Sequence, residues 1–257
     1  MLPLQGVGVL VTRPEQQAMP LCRLLEAQGA ATRRLSVIEV RACERRALEA
    51  PPGAIQSFDL IVFVSANAVR FGAALLEQSR ELNLAAIGPA TARSLNQAGY
   101  RVAVQPDDYN TEGLLNHPRL QHMAGRKVLL IQGRDGRMLL QQELERRGAA
   151  VTALTVYERV PAPVDSQALA DLQARLTAGD LQVVTATSLD IGGRLLELAA
   201  IELRHSLEQA LWLVPSQRVA AGLRARGLRA PLLQAASAQD QDLVAALLGW
   251  RSRASNA

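Results

Sequence analysis

Side chains that usually carry chemistry are scarce in this chain of 257 residues. It has two cysteines, Cys22 and Cys43, and three histidines, His117, His122 and His205. Two cysteines supply neither a disulfide framework nor a metal-ligand spacing, which fits a reducing compartment. The histidines are too scattered for a metal site, so neither metal nor cofactor is expected. Aromatic residues make up 3% of the chain, too few for platforms that stack bases or sugars. The basic residues are dispersed, so nucleic acid is not an expected partner. No apolar run reaches the roughly 18 residues of a membrane helix. The opening MLPLQGVGVLV lacks the basic n-region of a signal peptide. A cytoplasmic protein that does not engage the membrane is therefore expected.

Familiar catalytic signatures are missing too. No GxGxxG follows the first strand, and neither GxxxxGK[ST] nor a GxSxG elbow occurs. Gly133-Arg134-Asp135-Gly136 resembles a phosphate loop but lacks the lysine and the spacing. No histidine sits at a strand end, which removes Ser-His-Asp logic. An enzyme built from this chain would work largely by holding a substrate that is already reactive.

What is present is ordinary globular material: 49% hydrophobic and 20% charged residues, with a net charge of +4. Nearly all of the 28 basic residues are arginine. Arginine suits planar carboxylate or phosphate recognition, although a coding bias toward arginine gives the same composition. The length suits one large domain or two modest ones.

An internal duplication favours two. Gly8–Val40 lies on Lys127–Arg159 without a gap at a shift of 119 positions. Val9 falls on Val128, Leu25 on Leu144, Gly29 on Gly148, Val37 on Val156 and Glu39 on Glu158. Ile38 falls on Tyr157, the position at which the copies differ in chemistry. Further on, Ala92, Leu95 and Gly99 match Ala220, Leu223 and Gly227 at a shift of 128.

Periodicity reads as strand, turn and helix in alternation. Strands are expected at Val7–Val11, Thr32–Val40, Phe58–Val64, Leu84–Ile87, Arg101–Val104, Leu181–Thr185, Leu211–Val214 and Ala230–Gln234. A helix over about Glu15–Gln28 turns Leu21, Leu24 and Leu25 to one face and stops at Gly29. Ala42–Ser57 reads as a short helix and a loop. Helices also follow Ser65 (to about Ser79), Gly88 and Ser188, with one each over Asp165–Ala178 and Gln217–Arg226. A last helix covers Gln239–Leu248, and the basic tail from Arg251 is expected to be disordered. The fold class is α/β, with two open, flavodoxin-like parallel sheets flanked by helices.

Each copy has three strand-to-helix turns: Thr12–Glu15, Ser65–Ala68 and Gly88–Thr91 in the first, Gly133–Gly136, Ala186–Ser188 and Pro215–Gln217 in the second. Such turns offer free backbone N–H groups and gather where open α/β sheets bind ligands. Ser65, Ala66, Gly88, Thr91, Gly133, Thr187, Ser188 and Ser216 are small enough for a ligand to approach the backbone. Serine and threonine there are equally standard helix caps. Arg13 and Arg134 stand beside two of the turns, as anion holders or as solvated surface charges. Tyr157, near the end of its strand, is either an amphipathic core residue or a phenol able to donate a proton to a departing hydroxyl.

Seven stretches carry a resemblance to the uroporphyrinogen-III synthase family: VTRP (Val11–Pro14), VSANAV (Val64–Val69), AIGPATA (Ala86–Ala92), YNTEGLL (Tyr109–Leu115), LLIQGRDGRMLL (Leu129–Leu140), TVYERV (Thr155–Val160) and VPSQRVA (Val214–Ala220). Their order and spacing span Val9 to about Leu248. The chain departs from the family pattern at Ala66-Asn67, where Ser-Pro is more usual, and at Ala186–Leu189. The resemblance implies an enzyme of tetrapyrrole synthesis that closes hydroxymethylbilane to uroporphyrinogen III with inversion of ring D. It implies two interleaved lobes joined by two strands, residues 1–34 with 161–257 and residues 41–154. The connecting strands would be 35–40 and 155–160, with the active site in the cleft and a hinge at the strands. Tyr157 matches the tyrosine implicated in loss of the substrate hydroxyl. Arg13, Arg134 and the turn residues would hold the substrate's carboxylates. A monomer is expected, with a possible transient handover from hydroxymethylbilane synthase. The alternative is a non-catalytic ligand-binding or regulatory module with the same duplicated fold; a flavin or nucleotide binder is disfavoured by the missing phosphate loop.

Overall fold

A computed structural model describes residues 2–43, 54–76, 82–134, 136 and 138–255. The chain divides into two compact units, Met1–Glu39 with Val160–Ala257, and Val40–Arg159.

The first unit holds a five-stranded sheet in the order β11-β10-β9-β1-β2. Its strands are β1 (Gly8–Val11), β2 (Ala31–Arg34), β9 (Val183–Thr185), β10 (Leu211–Val214) and β11 (Leu232–Gln234), all paired in parallel. Side chains alternate across it. Leu10, Val184, Trp212 and Val214 point to one core, and Val9, Val11, Val183 and Leu213 to the other. The first core is closed by α6 (Ser166–Thr177), α7 (Leu189–Leu198), α8 (Ile201–Gln209) and α9 (Gln217–Ala225), the second by α1 (Glu15–Ala27) and α10 (Asp240–Ser255). Burial on both faces is why β1, β9 and β10 read as continuous apolar runs, whereas the edge strand β2, ATRR, is largely exposed.

The second unit repeats the plan. β4 (Leu60–Phe63), β5 (Leu84–Ala86), β6 (Val102–Val104), β7 (Lys127–Gly133) and β8 (Ala150–Pro161) follow the order β8-β7-β4-β5-β6, with β3 (Ile38–Ala42) added beside β8. Ile61, Phe63, Leu129 and Ile131 meet α2 (Ala66–Gly72) and α3 (Pro89–Gln97). Leu60, Val62, Val128 and Leu130 meet α4 (Thr111–Asn116) and α5 (Leu139–Arg146).

The duplication extends to individual hydrogen bonds. Register pairs Gly8↔Ala31 through Val11↔Arg34 recur as Lys127↔Ala150 through Leu130↔Ala153. Gly29 ends α1 at φ +92° and Gly148 follows α5 at φ +85°. Each donates its N–H to the carbonyl three residues back, Glu26 and Glu145. The left-handed backbone is open to glycine without a Cβ penalty, which explains the stop residue in both copies.

Several expectations need correction. Thr32–Val40 is two strands rather than one. β2 follows β1 as far as Leu35, whose N–H bonds the Val11 carbonyl, and there β1 ends. The chain then joins β8 as β3, which begins at Ile38 and continues past Val40 to Ala42. Cys43 N bonds Val156 O and Ala162 N bonds Val37 O, so β3 and β8 run antiparallel. The duplicate of this segment, β8, is one strand of 12 residues. Leu24 is 37% exposed; α1 buries Ala18, Leu21, Cys22 and Leu25 instead. Two helices, α7 and α8, follow Ser188 where one was expected. The final helix continues to Ser255 because Ala246, Leu248 and Trp250 keep packing on the core, so Arg251–Ser255 is helical and not a loose tail. In the expected Ala42–Ser57 helix and loop, residues 44–53 lie outside the described residues, and Ala54–Ser57 is a 3-10 turn. The helix after Ser65 ends at Gly72 with a 3-10 turn to Leu75; its expected reach to Ser79 lies outside the described residues.

Candidate functional site

In the second unit the turns after β4, β5 and β7 come from Ser65, Gly88 and Gly133. Ser65 is extended, at φ −162° and ψ 163°, and caps α2 by accepting the Ala68 N–H at 3.1 Å. Gly88 takes the same place before α3 without a side chain, and Ala66 is half-buried beside Ser65. Thr91, one turn into α3, is 4% exposed. A pocket of about 330 Å³ opens at these strand ends, lined by Val64, Ile87, Asn110, Thr111, Gln132, Gly136 and Leu140. None of the expected site residues is part of this lining; of the expected turns, Gly133–Gly136 contributes through Gly136. Asn110, which caps α4 by accepting the Gly113 N–H, and Gln132 were not singled out beforehand. Asn110 falls within the YNTEGLL stretch, which was the sequence cue to it.

Tyr157 is 6% exposed. Its ring stacks on Phe71 with centroids 6.0 Å apart and planes at 27°. It also covers Gly133, where a Cβ would lie 2.6 Å from Cζ and 3.0 Å from the hydroxyl. The register shift between Gln132 and Gly133 sets Gly133 opposite Tyr157, and Arg134 N bonds the Tyr157 carbonyl at 2.9 Å. The phenol oxygen stands 3.1 Å from Ser65 Oγ. Three expected residues (Ser65, Gly133 and Tyr157) are thus brought together.

Arg134 is exposed, and its Nε donates to Glu158 Oε2 at 2.8 Å. Glu158 also accepts from Arg41 Nε at 2.7 Å. Those bonds, Arg41 first, hold the Glu158 carboxyl below its usual range, and Glu158 in turn raises Arg134. The three side chains carry one net positive charge. Asp135 lies outside the described residues.

In the first unit Thr12 and Thr185 join the ends of β1 and β9: Thr12 Oγ1 donates to the Thr185 carbonyl, and Thr12 N to Thr185 Oγ1 at 3.3 Å. Ser188 caps α7 through Ile191 N at 3.2 Å, and Ser216 caps α9 through Val219 N at 3.4 Å. Arg13 is no solvated surface charge, being 6% exposed. Its Nε donates to Thr187 Oγ1 at 3.3 Å, Nη1 pairs with Asp240 and Nη2 bonds the Ala238 carbonyl. It ties the β9 turn to the start of α10. Among the described residues no group of three or more His, Cys, Asp or Glu side chains gathers as a metal site, and no helix is long and apolar enough to cross a membrane.

The family model of uroporphyrinogen-III synthase (HemD) matches residues 20–245. The uroporphyrinogen-III synthase of Escherichia coli K12 is 30% identical over 222 residues, which are 83% of this chain and 89% of that one. This chain belongs to the uroporphyrinogen-III synthase family. The synthase of Salmonella typhimurium LT2 is 31% identical over the same shares of both chains. Among solved structures, the synthase of Helicobacter pylori superposes with a TM-score of 0.63 at 15% identity, covering 95% of this chain and 99% of that one. A mutant synthase of Thermus thermophilus gives 0.59 at 22% identity, covering 98% and 100%. At such identities the superpositions establish the family's fold.

Proposed function

We propose that this chain performs its family's reaction, closing hydroxymethylbilane to uroporphyrinogen III, with Tyr157 as the proton donor. The supporting observation is the phenol oxygen 3.1 Å from Ser65 Oγ, beside the turn after β4. Loss of the substrate hydroxyl as water leaves a pyrrole-stabilised cation, so one well-placed donor is enough for that step. No stronger acid and no metal is needed to make such a leaving group depart.

Direction is the harder task. Hydroxymethylbilane closes end to end unaided and gives isomer I. Isomer III requires attack through the substituted carbon of ring D and a spiro intermediate. Favouring that route by a factor of about 100 takes roughly 2.7 kcal/mol of differential stabilisation. Holding the bilane in a near-attack pose supplies energies of this order. Each strand-to-helix turn, with Ala66, Gly88, Thr187, Ser188 or Ser216 at its start and Thr91 in the first turn of α3, offers backbone N–H groups to a substrate carboxylate. Arg134 adds an exposed guanidinium, whereas Arg13 acts by fixing the Thr187 turn.

The assay supplies porphobilinogen and hydroxymethylbilane synthase and separates isomers I and III. The wild-type chain gives isomer III; isomer I alone would end the synthase reading. Tyr157→Phe keeps the ring packing on Phe71 and lowers kcat at least 10-fold with little change in KM. A variant that turns over at the wild-type rate removes Tyr157 from the chemistry.

A further inference from the structure

Resting on Tyr157 as the donor, we infer that Ser65 is a positioning residue that donates its own hydroxyl proton to the Tyr157 oxygen. The phenol proton is then free for the substrate, and the phenolate left behind has a hydrogen bond waiting.

A serine hydroxyl has one donor and two acceptor sites. Ser65 Oγ accepts the Ala68 N–H at 3.1 Å and stands 3.1 Å from Tyr157 Oη. Among the described residues neither hydroxyl has another partner. Either hydroxyl can donate across that contact, and one proton is left over in both cases, the serine's if the phenol donates and the phenol's if Ser65 does. With Ser65 as donor, the serine satisfies one acceptor and its donor, and the phenol keeps a proton to give away. The ring cannot swing to change this arrangement. Phe71 stacks on it and the Cβ-less Gly133 admits it at distances no side chain would tolerate.

The step balances without a co-reactant. The Tyr157 O–H bond breaks, its proton joins the substrate hydroxyl, and the C–O bond breaks with its electron pair going to the departing water. The cation formed is matched by a phenolate hydrogen-bonded by Ser65. Ring D attacks through its substituted carbon to give the spiro intermediate. The bond from that carbon to the carbon bridging rings C and D breaks and re-forms at the unsubstituted terminal carbon of ring D, and that terminal carbon then loses its proton to the phenolate. Tyr157 is restored and the Ser65 proton never leaves its oxygen. The bond between the two hydroxyls strengthens only while Tyr157 is charged, so it favours the transition state over bound substrate.

Removal of one such donor lowers kcat by about 10- to 100-fold, at or below the lower end of what oxyanion donors contribute. Three variants separate this role from capping. Ser65→Ala loses both hydroxyl functions. Ser65→Asp still caps α2 but, ionised, can only accept, and so captures the phenol proton. Ser65→Thr keeps cap and donor. Expected are low kcat for Ser65→Ala and Ser65→Asp, recovery of most of the rate in Ser65→Thr, and an unchanged thermal midpoint for the aspartate and threonine variants. KM stays near wild type in Ser65→Ala and rises in Ser65→Asp through repulsion of the substrate carboxylates. Isomer I rises in the slow variants as released bilane closes unaided. Wild-type kcat in Ser65→Asp, with Tyr157→Phe slow, overturns the role of Ser65 and leaves that of Tyr157 standing. Wild-type kcat in Tyr157→Phe overturns the underlying reading instead. Should Ser65→Ala fail to fold, the aspartate and threonine pair decides alone.

Discussion

Tyr157 and Ile38 occupy one position of the repeat and are buried alike, at 6% and 7%. Burial therefore did not separate them; polarity did, and the sequence comparison was enough to see it. The partners of Tyr157 were less legible. Ser65 is 92 positions away, and no local pattern says that its cap oxygen also meets a phenol. Arg13 was legible only as a charge, because its counter-ion Asp240 lies 227 positions on. Its side chain is 7% exposed and that of Asp240 23%. Breaking a buried pair strands a charge, at about 3 kcal/mol or more where nothing else compensates. Arg13 would keep its bonds to Thr187 and the Ala238 carbonyl, so Asp240→Ala is expected to cost about 2 kcal/mol in urea unfolding. KM for the bilane should change little. A large rise in KM with undiminished stability would make the guanidinium a substrate ligand and not a tie.

At the scale of elements, most helices and strands were readable because apolar period and glycine stops agree with the final packing. The exceptions were decided by partners far along the chain. β2 and β3 are separate strands since β1 runs out at Val11, and α10 lengthens because a sheet face remains to be covered. α5 shows how an element is held by charge as well as by packing. Arg147, 15% exposed at its side chain, donates to the Leu115 and Leu120 carbonyls at 2.6 and 2.8 Å and so fastens the end of α4 to α5. Glu143 accepts from Arg146 and Arg147, and these bonds, Arg146 first, bring its carboxyl from 4.5 down to about 2. A carboxyl depressed in the folded state stabilises the fold above its unfolded value and loses that contribution as pH falls toward the folded one. The window here is from about 4.5 to about 2. Glu143→Gln should thus be less stable than wild type in urea at pH 7, with the difference closing by pH 2. A constant difference across that range would assign the effect to packing.

For the whole molecule, the same five-strand order is built from two different chain paths. Val40–Arg159 contributes every residue of both core clusters around its sheet, and the remainder of the chain does the same for the other. The duplication was visible in sequence because its constraints are local. That the second unit is inserted into the first follows from the β1–β9 pairing, Val9↔Val183, which joins positions 174 residues apart. The insertion has a mechanical consequence. Ala162 N bonds Val37 O at 3.0 Å, so the chain leaves and re-enters the first unit through neighbouring antiparallel strands. A two-residue Asn-Gly turn is suited to closing such a pair. Joining Glu39 to Val160 through that turn, with Val40–Arg159 removed, should therefore give a protein with cooperative urea unfolding and dispersed amide resonances. Its cores would lose no member, and the loop it must close shrinks from the whole second unit to a hairpin, which lowers the entropy cost of bringing β1 and β9 together. Collapsed, non-cooperative behaviour of that shortened chain would mean that the second unit supplies stability the core clusters do not account for.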